Sequence, residues 1–241
     1  MGQGASRSSI NRELALLRHA FSLAVREWEW VGENPAKKIS MEREPPPRDR
    51  WLNLDEEERL LNICPLWLKE ILIFGLETGC RRGEMLSLEW MEVDPLKRSV
   101  TILTGKTAER RVVPLTGRAS EIIRLREQSR SKVRPIRGDY VFTHPAGKEV
   151  NIHTLRWAFE RSLERTGIVD FRFHDLRHTF ASRLAQAGVD PYTVQKLMGH
   201  KSFSTTQRYA HHYTESLRRG ISALEQLRQE KPQESITILS H

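Results

Sequence analysis

Cysteine is nearly absent from this 241-residue chain: Cys64 and Cys80 are the two it has. That excludes a disulfide framework, suits a reducing compartment, and leaves both thiols, in apolar helix-patterned surroundings, to be buried as small hydrophobes. Long apolar runs are lacking too. The stretch ILIFGL from Ile71 to Leu76 falls well short of the ~20 residues a membrane-spanning helix needs, and the opening MGQGASRSS has no apolar segment of the kind a secretory signal carries. A cytoplasmic protein with no membrane partner is expected. The Met-Gly-x-x-x-Ser start matches a myristoylation pattern that is too short to carry weight. No internal repeat is evident. Acidic residues are the scarcer sign, 31 against 39 Lys and Arg, which gives a formal charge of +8 and a pI near 9.8; such a balance favours a polyanionic partner.

The excess is concentrated. From Lys97 to Arg137 the basic residues Lys97, Arg98, Lys106, Arg110, Arg111, Arg118, Arg124, Arg126, Arg130, Lys132, Arg134 and Arg137 are opposed only by Glu109, Glu121 and Glu127. A solvated basic face is the plainest account of such a run, and a nucleic-acid surface the more specific one.

Hydrophobic periodicity predicts a helix over Ser9–Trp28, with Ile10, Leu14, Leu17, Phe21, Ala24 and Trp28 on one apolar stripe. Pro45, Pro46 and Pro47 then mark a semi-rigid linker. The main domain opens at Asn53, a helix cap with Glu56 in capping-box position. Helices follow in WLKEILIFGLET, ended by Gly79, and in RRGEMLSLEW. The period changes to two in SVTIL and RRVVPL, which predicts a hairpin whose tip region presents Lys106. TGRASEIIRLREQ and HTLRWAFERSLERTG are again helical, YVFTHPAGKEV resembles a short strand and turn, and Asp190 with Pro191 starts another helix. An amphipathic helix from Tyr213 to Leu227 precedes a polar tail. The fold class is α+β, mostly α-helical with a small antiparallel β-sheet. The domain plan is 1–40 for an N-terminal helical piece, 41–50 for the linker, 51–228 for the main domain and 229–241 for the tail.

Several side chains could carry chemistry. Arg81 and Arg82 follow Gly79 at a helix junction, where free backbone N–H groups and a planar guanidinium both suit an anion. His174 and His178 stand one turn apart, and His200 follows the Gly199 turn. As metal ligands they would have Arg177 beside them, which repels a dication and weakens that reading. Tyr209 taken alone reads as a core residue. Together, two arginines, a hairpin lysine, histidines and a tyrosine in a basic protein are what attack of a phenol on a phosphodiester requires, because fixed cations and donors stabilise the charge gathered on the non-bridging oxygens in the transition state.

The segments TGCRRGEMLSLEW, GKTAERRVVPL, HDLRHTFASRLAQAGVD, VQKLMGH and STTQRYAH, in that order, resemble the motifs of the tyrosine recombinase family, the phage-integrase type of site-specific DNA recombinase. The likeness runs from about Asp49 to Leu227 and implies the catalytic-domain fold of that family. It selects Arg81 over Arg82. It implies Tyr209 as nucleophile forming a 3′-phosphotyrosyl link, Arg81 and Arg177 as clamps on the non-bridging oxygens, His200 as a further donor, Lys106 as general acid, His174 as proton acceptor, and Glu84 as a carboxylate that orients the site. No metal, cofactor or Walker motif is needed, since phosphodiester energy is kept in the protein–DNA bond. The implied partners are double-stranded DNA and further copies of the chain in a tetrameric synapse, with C-terminal helices exchanged. Residues 1–40 correspond to the last helix of the family's core-binding domain. The alternatives are a recombinase-derived regulator that binds without cutting, a type IB topoisomerase, and a metal-dependent hydrolase.

Overall fold

A computed structural model describes residues 5–45, 48–104, 109–130, 138–145, 147–209 and Ser222. Lys106, Pro46 and Pro47, the helix expected over Tyr213–Leu227 apart from Ser222, and the tail 229–241 lie outside these residues. The chain divides into two units, Met1–Arg48 and Asp49–His241.

In the first unit, helix α1 spans Arg7–Arg26, capped by the Ser6 hydroxyl, which accepts from the Ser9 N–H at 3.2 Å. Its buried positions are Asn11, Leu14 and Ala24, whereas Ile10, Leu17 and Trp28 of the expected stripe are exposed. The reason is polar. Asn11 Nδ2 donates to the Glu42 carbonyl at 2.8 Å and its Oδ1 accepts from the Glu42 N–H at 2.8 Å. Asn34, which caps the short 3₁₀ turn Pro35–Lys38, donates to the Arg18 carbonyl and the Ser22 hydroxyl at 2.8 and 2.9 Å. Side-chain amides therefore fold the following chain back onto α1, and they select its inward face.

In the second unit, Asn53 and Glu56 form the capping box that starts α2 (Leu54–Ile63). Helix α3 (Leu66–Thr78) is the centre of the core, with Leu68, Ile71, Leu72 and Phe74 fully buried between α5 (Gly117–Gln128) and α7 (Asp175–Gln186). Each such side chain contributes about 1.5–3 kcal/mol by leaving water. Gly79 ends α3 at φ +62, a conformation that costs glycine little, and a Cβ there would lie 2.4 Å from Cδ1 of Phe180.

The α4 helix (Arg82–Leu86) leads to an antiparallel sheet of β1 (Val93–Asp94), β2 (Ser99–Thr104) and β3 (Glu109–Pro114), in that spatial order. Val100 faces Val113 and Ile102 faces Arg111 across β2–β3. Helix α6 (Ile152–Thr166) packs on α2 and α3. Beyond α7 come α8 (Pro191–Met198), closed by Gly199 at φ +61, and α9 (Phe203–Gln207). A second, smaller apolar cluster of Phe180, Ala181, Ala185, Val194, Met198 and the Tyr209 ring joins α7 and α8 to the end of α9. Both cysteines are free and buried.

Candidate active site

The site forms where the C-terminal ends of α3 and α8 meet the first turns of α7. Arg177, on the buried side of α7 and 3% exposed, donates from Nη1 to the Gly79 carbonyl at 2.6 Å and from Nη2 to the Met198 carbonyl. Carbonyls at helix C-termini carry partial negative charge, so two helix ends hold this one guanidinium. Burial, then the nearby Arg81 and Arg111, bring its pKa down to about 10, which still leaves it charged at neutral pH.

Arg81 is the N-cap residue of α4. Its backbone N–H and its Nη1 both donate to Glu84, at 2.8 Å each, and its Nη2 reaches the Gly199 carbonyl at 3.3 Å. With its side chain 40% exposed, the cation is fixed at the back and open at the front. Burial pushes the Glu84 carboxyl up, but hydrogen bonds and charge from Arg111, with the bonds from Arg81, carry it down to about 2.

His200 follows the Gly199 turn. Its carbonyl accepts from Gln195 Nε2 at 3.1 Å, and its Nδ1 lies 2.8 Å from the Thr206 hydroxyl. Burial, then Arg177, Arg81 and Arg208, hold this imidazole down at about 3, so it is neutral at physiological pH.

Tyr209 is 3% exposed, and its hydroxyl lies 2.6 Å from Nδ1 of His178. Burial raises the phenol to about 12 against the pull of Arg208 and Arg177. Burial, then the His174 ring and Arg208, lower His178 to about 4. His174, likewise lowered by burial and then by Arg177, stands edge-on to His178 with 5.1 Å between ring centres. A cleft of about 540 Å³ opens beside Arg81 and His174, walled by Phe159, Phe171 and Phe173 and rimmed by Arg82, Arg156 and Arg172.

The structure thus brings Arg81, His174, Arg177, His200 and Tyr209 to one region; Lys106 lies outside the described residues. The resemblance implies His174 as the phenol's proton acceptor; the hydrogen bond of the phenol goes to His178, one turn further along α7, while His174 stands at the N-cap position before that helix. Arg111 and Thr206 were not singled out from sequence. The signal for Arg111 was a charge in inward register with Val113 on a strand; Thr206 gave none.

Two guanidiniums, a neutral imidazole and a phenol against a second neutral imidazole can bind a phosphodiester and deliver an oxygen nucleophile to it. Residues 50–216 match the sequence pattern of the phage integrase family. The chain belongs to the phage integrase family. Among relatives in this family, the integrase of Salmonella phage P22 is 32% identical over 222 residues, covering 85% of this chain and 55% of the relative. The tyrosine recombinase XerC of Bacillus pumilus is 30% identical over 229 residues, covering 90% and 74%. The chain therefore spans about half the length of the P22 phage integrase. In fold it is similar to the Tn1549 transposon integrase, solved in complex with circular intermediate DNA, at a TM-score of 0.76 and 21% identity over 90% of this chain and 80% of that one.

Proposed function

We propose that this chain is the catalytic part of a site-specific DNA recombinase, cutting and rejoining duplex DNA through a covalent link to Tyr209. The observation that carries the reading is the placement of a buried phenol, hydrogen-bonded to a neutral imidazole, beside two arginines fixed by helix ends.

In the forward step Oη of Tyr209 attacks the scissile phosphorus, an O–P bond forms, and the bond from phosphorus to the 5′-oxygen breaks. The phenolic proton passes to Nδ1 of His178, with His174 the next acceptor on the side of the cleft. Arg81 and Arg177 receive the charge on the non-bridging oxygens, and His200 donates from Nε2. One such donor is worth roughly 2.7–4 kcal/mol in the transition state. Lys106 supplies the proton to the departing 5′-oxygen, which leaves poorly as an alkoxide. A phosphodiester seated in the clamp adds negative charge beside His174 and His178, which raises their affinity for a proton when one must be accepted. Attack by a different strand's 5′-hydroxyl reverses these steps and completes strand exchange, so that neither metal nor ATP enters.

The cleft flanked by Arg82, Arg156 and Arg172 is the approach for the DNA backbone, contacts that fix register and carry no base information. The Tn1549 integrase, similar in fold, was solved in complex with DNA, which supports DNA as the partner. Assembly is a tetramer of these chains on two duplexes, residues 1–40 correspond to the last helix of a core-binding domain, and the reaction takes place in the cytoplasm.

The test is to incubate the chain, in EDTA, with a pool of nicked duplexes of randomised sequence and to isolate protein–DNA adducts that survive denaturation. Adduct with the native chain and none with Tyr209→Phe is the expected result. Adduct that persists in Tyr209→Phe, or that appears only with a divalent metal, refutes the reading.

A further inference from the structure

Arg111 is a charge with a largely buried side chain that the steps above leave unused. It lies opposite Ile102 and in inward register with Val113, while its neighbour Val112 is exposed. Its side chain is 9% exposed. The guanidinium forks onto both oxygens of Glu84, Nη1 to Oε1 at 3.0 Å and Nη2 to Oε2 at 2.7 Å, while the same carboxylate holds the N–H and Nη1 of Arg81. Arg111 also lies against the turn that carries His200: a Cβ on Gly199 would come within 2.9 Å of its Nη1 and 3.0 Å of its Cδ. Its Nε is buried without a hydrogen-bond partner. A cation placed in core register costs desolvation that an apolar residue would avoid, so stability is a poor account of its presence.

Charge arithmetic suggests a better one. Arg81 and Arg111 share a single carboxylate, so the trio carries one net positive charge. Without Arg111, Arg81 and Glu84 become a neutral pair, and the guanidinium that should face the phosphate is held by its own carboxylate. The fork also fixes the carboxylate plane from which Arg81 reaches toward Gly199, a geometry that a lysine ammonium cannot reproduce.

We propose that Arg111 is a positioning residue that keeps the positive charge of Arg81 available to the scissile phosphate by occupying Glu84 from behind, and so ties strand β3 to the phosphate clamp and to the His200 turn. The inference rests on the DNA-cleaving reading above.

The test uses the full chain and a duplex recovered from the adduct capture, made in two forms: one with the ordinary phosphodiester at the scissile position, and one with a methylphosphonate, which has no negative charge to clamp. Arg111→Met is expected to slow adduct formation about ten- to hundredfold on the phosphodiester, less than loss of a direct donor, and to change the methylphosphonate rate little. Arg111→Lys keeps a cation beside Glu84 without the fork; it is expected to lose less, again on the phosphodiester alone, and it carries the comparison if Arg111→Met does not fold by circular dichroism. Equal losses on the two substrates, or none on either, overturn the assignment while leaving the cleavage chemistry standing. Failure of the unsubstituted chain to give any Tyr209-dependent adduct removes both.

Discussion

The Tyr209 hydroxyl and Nδ1 of His178 lie 2.6 Å apart, across 31 residues of sequence. The ring that bears the hydroxyl is packed among Phe180, Ala181, Val194 and Met198, so its direction is set by apolar contacts and its proton by the imidazole. His178→Gln keeps a hydrogen-bonding side chain without a basic ring nitrogen. It is expected to slow Tyr209 adduct formation by roughly 10²–10⁴-fold, the range for a lost general base, with duplex affinity unchanged. His174→Gln should cost less, since the hydrogen bond of the phenol is to His178. Single-turnover adduct kinetics with parallel binding titrations decide; equal losses for the two histidines would count against His178 as first acceptor.

Thr206 has a similar relationship with His200. To donate from Nε2 to a phosphate, a neutral imidazole needs its proton on Nε2, and a Thr206 hydroxyl donating to Nδ1 across the 2.8 Å between them would hold that tautomer. Thr206 is 1% exposed. Thr206→Val preserves shape and deletes the donor, leaving a buried ring nitrogen unpaired at about 1–3 kcal/mol. Adduct formation should fall, Thr206→Ser should restore it, and the ¹⁵N shifts of the His200 ring should move toward a tautomer mixture in Thr206→Val. Unmoved shifts would show that some other contact fixes the ring.

Much of the fold was legible because the signals are local. The capping box at Asn53 and Glu56, the stops at Gly79 and Gly199, and the β2–β3 hairpin each depend on residues within a few positions of one another. The inward face of α1 was not legible, since Asn11 is buried by a bond to Glu42, 31 residues on. The basic run from Lys97 to Arg137 misleads for the same reason. Arg111, Arg118, Arg126 and Arg130 pair with Glu84, Glu57, Glu70 and Asp139 respectively, so folding turns part of an apparent anion-binding face into ion pairs. In the site, residue types pointed to phosphodiester chemistry, and it was the family resemblance that named Arg81, Arg177, His200 and Tyr209. Which histidine meets the phenol depends on the relative rotation of α7 and the segment after α9, and sequence spacing does not encode that.

The histidines also make stability depend on pH in a stated direction. His178 titrates near 4 and His200 near 3 in the folded chain, against 6.5 ordinarily. Below pH 6.5 the unfolded chain therefore binds protons that the native state refuses, and unfolding becomes more favourable as pH falls. Their contribution is fully present above about 6.5 and is lost progressively down to the folded values. Glu84, at about 2 instead of 4.5, adds a loss of the same sign lower down. Thermal melts should show a transition temperature that declines from pH 7 to pH 4, with a shallower decline in His178→Gln. A midpoint that is flat or rises over that interval would mean these rings are hydrated in solution.

Two left-handed glycines separate stability from chemistry. Adding a Cβ costs about 1–2 kcal/mol at either for the backbone conformation, but the neighbours differ. At Gly79 the Cβ would sit 2.4 Å from the Phe180 ring, a packed core side chain that cannot withdraw, and the displaced carbonyl is the one that holds Arg177. Overpacking adds about 1–3 kcal/mol, so Gly79→Ala should lower the urea midpoint markedly, with adduct formation falling in step with the folded fraction. At Gly199 the Cβ meets Nη1 and Cδ of Arg111, the far end of a flexible side chain that can move. Gly199→Ala should therefore cost less stability than Gly79→Ala yet still reduce adduct formation severalfold, because the Arg111 fork on Glu84 is what yields. Urea unfolding and adduct rates on the same preparations test the pair. A Gly199→Ala chain that loses stability as Gly79→Ala does, or that keeps full activity, would show that the Arg111 contact is incidental.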